Sequence, residues 1–155
     1  MEKKQLQGIS WMPEDFKDFI QCLNSNKVKY LLVGGWAVGL YGHPRATKDI
    51  DFFIFIDDQN LNNIKKALID FGAPPVNIEY LREKGNVVRF GSSPIKIDII
   101  NAASGISIED CYSRKNIVTV ENIEIPVISK ADLILNKKST GRQTDLGDVE
   151  KLEDE

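Results

Sequence analysis

Most of what this sequence says about its architecture lies in one segment, VGGWAVGLYGHPRATKDID, residues 33–51. It follows a short apolar run, Tyr30–Val33, and its two glycines lead into a stretch with helical character. It closes on Asp49-Ile50-Asp51, where a run of β-branched and aromatic residues begins and continues to Ile56. This order predicts a strand, a tight glycine turn, a helix and then a central strand that is covered on both faces.

The flanking sequence adds helices and strands on both sides of that segment. Apolar residues at helical spacing predict helices over residues 13–24 and 60–71, and Gly72 ends the second. Val87–Phe90 and residues 95–100 have the pattern of a β-hairpin, and its second strand carries Lys96 and Asp98 on one face.

The C-terminal third of the chain continues the alternation of predicted helices and strands. Ser107 and Ser129 each stand three residues before an aspartate, a pattern that caps the start of a helix, and a strand is expected between them at 117–120. The whole order predicts an α/β (α+β) fold, a small mixed β-sheet flanked by helices with a short helical C-terminus. We expect a single domain over 1–155, with a core at about 28–128 and C-terminal helices at 129–152.

Composition limits the function classes. The chain is 42% apolar and 28% charged, with a net charge of −3, so it lacks the overall positive field of a general nucleic-acid coat. Cys22 and Cys111 match no metal-ligand spacing, and two free thiols indicate a reducing compartment. No apolar run approaches the roughly 20 residues that cross a bilayer. We therefore expect a cytoplasmic protein with no membrane partner.

The strongest chemical signal is a pair of carboxylates. Asp49 and Asp51 project from the same face of their strand because strand side chains alternate with period two. Two like charges held together are unfavourable unless a cation or a proton relieves them. A third carboxylate, Asp98, lies on a predicted neighbouring strand between Ile97 and Ile99. Three carboxylates of this kind can hold two Mg²⁺ ions.

The residues upstream of the carboxylates suit a phosphate. Gly34 and Gly35 offer free backbone N–H groups at the start of a helix, with no side chain in the way. The segment between the glycines and the carboxylates adds two cations, Arg45 and Lys48, and arginine can bind phosphate through two hydrogen bonds. The combination favours a nucleoside triphosphate as substrate.

The order Gly-Gly, thirteen residues, Asp-Ile-Asp and a later apolar-Asp-apolar strand resembles the signature of the DNA polymerase beta-type nucleotidyltransferase superfamily. The chain looks like its small stand-alone bacterial members, including relatives of aminoglycoside nucleotidyltransferases and abortive-infection toxins. The likeness covers most of the chain and extends over residues 128–152. Many members have Gly-Ser where this chain has Gly34-Gly35. The missing hydroxyl makes triphosphate binding depend more on backbone groups and Arg45.

The resemblance implies a polymerase beta-like fold and an enzyme that transfers a nucleoside monophosphate from an NTP to an acceptor hydroxyl, releasing pyrophosphate. It implies two Mg²⁺ ions, or Mn²⁺ in their place, held by Asp49, Asp51 and Asp98, which are also the expected catalytic residues. The expected nucleotide-binding residues are Gly34, Gly35, Arg45, Thr47, Lys48 and Lys137. The acceptor is left open as a small molecule, a tRNA or a protein.

A second hypothesis is a toxin–antitoxin component or interaction module that keeps this fold with little or no activity and acts by binding a partner protein. Individual residues also have simpler, structural interpretations. A solvated helix end could be formed by Lys137, Lys138 and Arg142, and Arg142 could instead pair with Asp145. Trp36 is more typical of a core than of a base-stacking platform, and His43 is more typical of a turn than of a substrate contact.

Overall fold

The structure is a computed structural model that describes residues 3–5, 12–43, 49–92 and 96–154. The strands, in chain order, are β1 (Lys3–Gln5), β2 (Tyr30–Val33), β3 (Asp49–Ile54), β4 (Val87–Phe90), β5 (Lys96–Ile100), β6 (Asn116–Val120) and β7 (Ile123–Val127). The helices are α1 (Glu14–Ser25), α2 (Gly34–Leu40), α3 (Asp58–Phe71), α4 (Ile108–Ser113), α5 (Lys130–Thr140) and α6 (Gln143–Glu153), with a 3₁₀ helix at Ile78–Arg82.

The described strands form one mixed sheet of seven, in the order β1-β6-β7-β2-β3-β5-β4. In the half of the sheet that carries the aspartates, β3 runs parallel to β5 and antiparallel to β2, and β4 pairs with the other side of β5. The predicted α/β class and mixed sheet are therefore confirmed. The central position expected for the strand that begins at Asp49 is also found, since β3 has a partner strand on each side.

An aromatic cluster holds α1 and α3 against one face of this sheet. The ring of Phe19 in α1 meets those of Phe52, Phe71 and Phe90 edge-on, with centroids 5.4, 5.2 and 5.5 Å away. Such contacts are worth about 0.5–1.5 kcal/mol each beyond their buried area. Phe52 points away from Asp51 because neighbouring strand residues alternate faces. The core therefore fixes which face of β3 carries the carboxylates.

Helix ends follow the predicted capping chemistry. Ser107 and Ser129 accept hydrogen bonds from the backbone N–H groups of Asp110 and Asp132, three residues on. The helix expected from residue 60 begins two residues earlier, at Asp58, because the Asp57 side chain caps it by accepting from the Asn60 N–H.

Two strands were not predicted. β7 has alternating apolar residues but contains Pro126, which argues against a strand because proline cannot donate to a ladder. In the structure β7 is antiparallel to β6 and touches β2 through a short parallel pairing, Leu32 with Val127. β1 is three residues long and pairs in parallel with β6. Among the described residues, no helix has the length and apolar character needed to cross a bilayer.

Candidate active site

The glycine turn lies directly against the carboxylate strand. β2 ends at Val33, which pairs in register with Asp51, and Gly34 follows with a φ of +71°. A β-carbon at Gly34 would collide with a carboxylate oxygen of Asp51. A residue with a side chain would therefore be strained at this position and would also displace the carboxylate.

Three neighbouring strands bring a row of side chains onto one face of the sheet. Asp51 of β3 is the cross-strand partner of Asp98 of β5, and Asp98 is the partner of Arg89 of β4. Asp49 lies two residues before Asp51, on the same face, and pairs in register with Lys96. The predicted convergence of two strands is therefore present: Asp51 and Asp98 are immediate neighbours across the sheet.

The charge of Asp51 is poorly compensated. Burial, followed by the neighbouring carboxylates of Asp98 and Asp49, raises the pKa of this carboxyl to about 7, against a smaller opposite effect from Lys137. In the metal-free protein Asp51 is therefore protonated in a large fraction of molecules near neutral pH. A divalent cation would release that proton and neutralise the cluster.

Asp98 has a cation partner that sequence reasoning missed. The Arg89 guanidinium donates from Nε to Oδ1 at 2.7 Å and from Nη2 to Oδ2 at 2.9 Å. These bonds raise the pKa of Arg89 above its ordinary value. The observed register of β4 with β5 places Arg89 opposite Asp98, and the predicted strands and loop alone do not specify that register.

A cleft of about 470 Å³ opens beside the carboxylates. The β3 carboxylates and the glycine turn form one wall, and α5 with the start of α6 forms the other. Residues that line it are Val33, Gly34, Gly35, Asp49, Asp51, Ile100, Ala102, Ala103, Ser104, Asn136, Lys137, Thr140, Arg142, Thr144 and Asp145. Asp98, only 5% exposed, is not part of that lining.

The helical wall is built on a buried lysine. Lys137 Nζ lies 2.9 Å from an oxygen of Asp145 and 3.2 Å from one of Asp148, and all three side chains are almost fully buried. Burial raises the pKa of Asp145, but hydrogen bonds from Thr140, Lys137 and Arg142 outweigh it and lower the pKa to about 2. The two aspartates thus fix the lysine in place at the cleft.

These contacts settle several alternative interpretations. The solvated helix end is wrong for Lys137, which is buried because two aspartates of α6 neutralise it. The pairing of Arg142 with Asp145 is confirmed, with Arg142 Nε donating to Oδ2 at 2.7 Å. Trp36 is buried and its ring packs edge-on against Phe16, so the core interpretation holds for it.

Three predicted nucleotide-binding residues, Arg45, Thr47 and Lys48, lie outside the described residues. Of the remaining predicted site residues, the structure places Gly34, Gly35, Asp49, Asp51 and Lys137 along one cleft and Asp98 next to Asp51.

The chemistry of these donors suits a divalent cation. Asp49 and Asp51 present hard carboxylate oxygens to an open cleft with room for phosphate and water, the set that Mg²⁺ prefers. Burial and the neighbouring carboxylates raise the pKa of Asp51, and a bound divalent cation would oppose that rise. Within 12–43, 49–92 and 96–154, no three His, Cys, Asp or Glu side chains converge into a ready metal-binding cluster. Arg89 holds both oxygens of the third carboxylate, Asp98.

Comparison with protein families agrees with this geometry. Residues 13–153 match the model of the family described as "Nucleotidyltransferase of unknown function (DUF6036)", and the chain belongs to that family. A search of curated proteins gave no significant match.

Solved structures share the fold. The chain is similar to the lincosamide antibiotic adenylyltransferase LnuA in its lincomycin-bound form, with a TM-score of 0.63, 20% identity and coverage of 92% of this chain and 96% of that one. A putative nucleotidyltransferase from Thermotoga maritima gives a TM-score of 0.58 at 20% identity, covering 90% and 87%. An antigenic nucleotidyltransferase-like protein from Paracoccidioides brasiliensis gives 0.57 at 15% identity, covering 89% and 74%. At these identities the likeness establishes the fold alone.

Proposed function

We propose that this chain is a metal-dependent nucleotidyltransferase that moves a nucleoside monophosphate from an NTP to an acceptor hydroxyl and releases pyrophosphate. The observation that carries the proposal is the meeting of the Gly34 turn with Asp49 and Asp51 in one cleft, where burial and neighbouring charge raise the pKa of Asp51 to about 7. An uncompensated carboxylate cluster beside an open glycine turn is suited to a metal-bound phosphate.

The reaction forms a bond between the acceptor oxygen and the α-phosphorus, and it breaks the bond from that phosphorus to the leaving pyrophosphate. Two Mg²⁺ ions, or Mn²⁺ in their place, supply charge stabilisation of the attacking and leaving oxygens when they are bound. Asp49 and Asp51 would hold both ions. Asp98 would complete the acceptor-side position and accept the proton of the attacking hydroxyl.

The triphosphate would lie along the glycine turn. Backbone N–H groups of Gly34 and Gly35 would donate to its oxygens, since no side chain blocks the approach. Lys137 faces the same cleft from α5, and the two aspartates that hold it keep its ammonium group in a fixed place. Arg45, with Thr47 and Lys48, would add donors from the segment that precedes β3.

The acceptor is a hydroxyl of a small molecule, a tRNA or a protein. Small molecules are the first class to test, because the similar lincosamide enzyme is an antibiotic adenylyltransferase whose structure contains lincomycin. The ion pair that occupies Asp98 favours a second candidate, a toxin–antitoxin component or interaction module with little activity. Calorimetric titration with Mg²⁺–ATP separates the two, since an enzyme binds it and an inactive module need not.

The direct test is incubation of the protein with each α-labelled NTP and a cell lysate, following which molecule takes up the label. We expect label on one acceptor class, and no transfer by an Asp51→Asn variant that remains folded. Absence of transfer with all four NTPs, together with no Mg²⁺–NTP binding, would remove the enzyme proposal.

A further inference from the structure

The Arg89–Asp98 pair stands at the edge of the candidate site. Asp98 is almost completely buried, whereas 57% of the Arg89 side chain is exposed on the edge strand β4. Both carboxylate oxygens of Asp98 accept hydrogen bonds from the guanidinium. On its other side, Asp98 faces Asp51 across the β3–β5 pairing. The one carboxylate that should complete the metal site is thus already bound to a cation of the chain itself.

A second ion pair in the molecule has the same form. Arg114 donates from Nε and Nη2 to the two oxygens of Asp132, both at 3.0 Å. The exposed side-chain fractions, 54% for Arg114 and 7% for Asp132, nearly equal those of the Arg89–Asp98 pair. Asp132 lies in the first turn of α5, which Ser129 caps, and it is outside the cleft lining. The difference between the pairs is therefore their surroundings.

We propose that Arg89 is a positioning residue that holds Asp98 in the metal-free protein and thereby makes uptake of the divalent cation depend on the phosphates of the nucleotide. This inference rests on the proposed function. Without nucleotide, a cation that approaches Asp51 and Asp98 meets the positive guanidinium and a carboxylate whose oxygens are engaged. A triphosphate brings negative charge and oxygen ligands, which offset both effects.

The positive charge of Arg89 should weaken cation binding by a measurable amount. A divalent cation bound to Asp98 would lie within several Å of the Arg89 guanidinium, a separation at which charges near a protein surface interact strongly. Loss of the positive charge at Arg89 should therefore tighten cation binding to the nucleotide-free protein. Loss of the same charge at Arg114 should not, because Asp132 is not part of the site.

The experiment is a titration with Mn²⁺ alone, followed by electron paramagnetic resonance, on the parent and on the variants Arg89→Gln and Arg114→Gln. We expect the Mn²⁺ dissociation constant to fall about tenfold or more in Arg89→Gln and to change less than about twofold in Arg114→Gln. The melting temperature should fall by a similar amount in both variants, because each removes the arginine partner of a similarly buried aspartate. Only the metal affinity separates them.

A double variant, Arg89→Gln with Asp98→Asn, tests whether the effect acts through Asp98, and we expect the tightened binding to disappear. If Arg89→Gln does not fold, Arg89→Lys takes its place; it keeps the charge, loses the two-point contact and should bind Mn²⁺ more tightly than the parent by a smaller factor. Unchanged or weaker Mn²⁺ binding in the folded variant overturns the inference, while Mn²⁺–NTP binding by the parent would leave the proposed function standing. A parent that binds neither Mn²⁺ nor Mn²⁺–NTP overturns both.

Discussion

Asp51 of β3 and Asp145 of α6 line one cleft but differ in the cations around them. Asp145 has Lys137, Arg142 and the Thr140 hydroxyl within hydrogen-bond distance, and its pKa falls to about 2. Burial and the carboxylates of Asp98 and Asp49 raise the pKa of Asp51 to about 7. The helical cluster is complete within the chain and fixes Lys137 in place. In the strand cluster Arg89 pairs with Asp98, and a proton or a cation from solution would relieve the charge of Asp51.

The largest effect on stability should come from removing the lysine of the helical cluster. Lys137→Met leaves Asp145 and Asp148 buried without their shared partner, and we expect a loss of about 3 to 5 kcal/mol in the free energy of unfolding. Urea denaturation measures it. Lys138→Met is the matched control, because the exposed Lys138 pairs with Glu153 at the surface and its loss should cost less than about 1 kcal/mol. Equal losses in the two variants would show that the helical cluster is not held by Lys137.

The glycine turn gives the next largest effect. Gly34→Ala combines a strained positive φ with a collision against Asp51, and we expect a loss of about 1 to 3 kcal/mol together with loss of Mg²⁺–NTP binding. Gly72→Ala is the control, since Gly72 also has a positive φ, +82°, but a β-carbon added there would meet no described atom within 4 Å. It should lose stability from strain alone and keep its nucleotide affinity. A Gly34→Ala variant that binds Mg²⁺–NTP normally would separate the turn from the site.

The two clusters should respond to pH in opposite directions. The folded protein holds a proton on Asp51 up to about pH 7, so this group's contribution to stability is complete below its unfolded pKa near 4 and is lost as the pH rises to about 7. The contribution of Asp145 is present above pH 4 and is lost as the pH falls towards 2. We expect Asp51→Asn to gain on the parent by about 1 kcal/mol or more between pH 5 and pH 8. Denaturation curves at both pH values measure this, and a constant difference would contradict it.

Much of the sheet side of the site could be predicted from local sequence. The period of a strand places Asp49 and Asp51 on one face, and the apolar neighbours of Asp98 place it on an inner strand. The glycines at the end of an apolar run predicted the turn that the structure shows at Gly34. These features depend on a few consecutive residues, and each has a distinct spacing.

The cation partners could not be predicted in the same way. Arg89 reaches Asp98 only through the register of β4 with β5, and Lys137 reaches Asp145 and Asp148 only because α5 and α6 fold back on each other. In the sequence alone, Arg89 and Lys137 look like solvated surface residues, because the strand register and the helix packing are not yet known. β7 was missed for a related reason, since its place beside β6 and β2 outweighs the unfavourable Pro126.

The metal role of the strand carboxylates is tested by melting the parent and Asp51→Asn with and without Mg²⁺–NTP. Removing one charge relieves repulsion in the metal-free protein, so we expect the variant to be as stable as the parent or more stable by about 1 kcal/mol. We also expect it to lose the rise in melting temperature that Mg²⁺–NTP gives the parent, because ligand binding stabilises only a protein that binds. A variant that is destabilised without ligand and still shows the full ligand-induced rise would contradict a metal-binding role for Asp51.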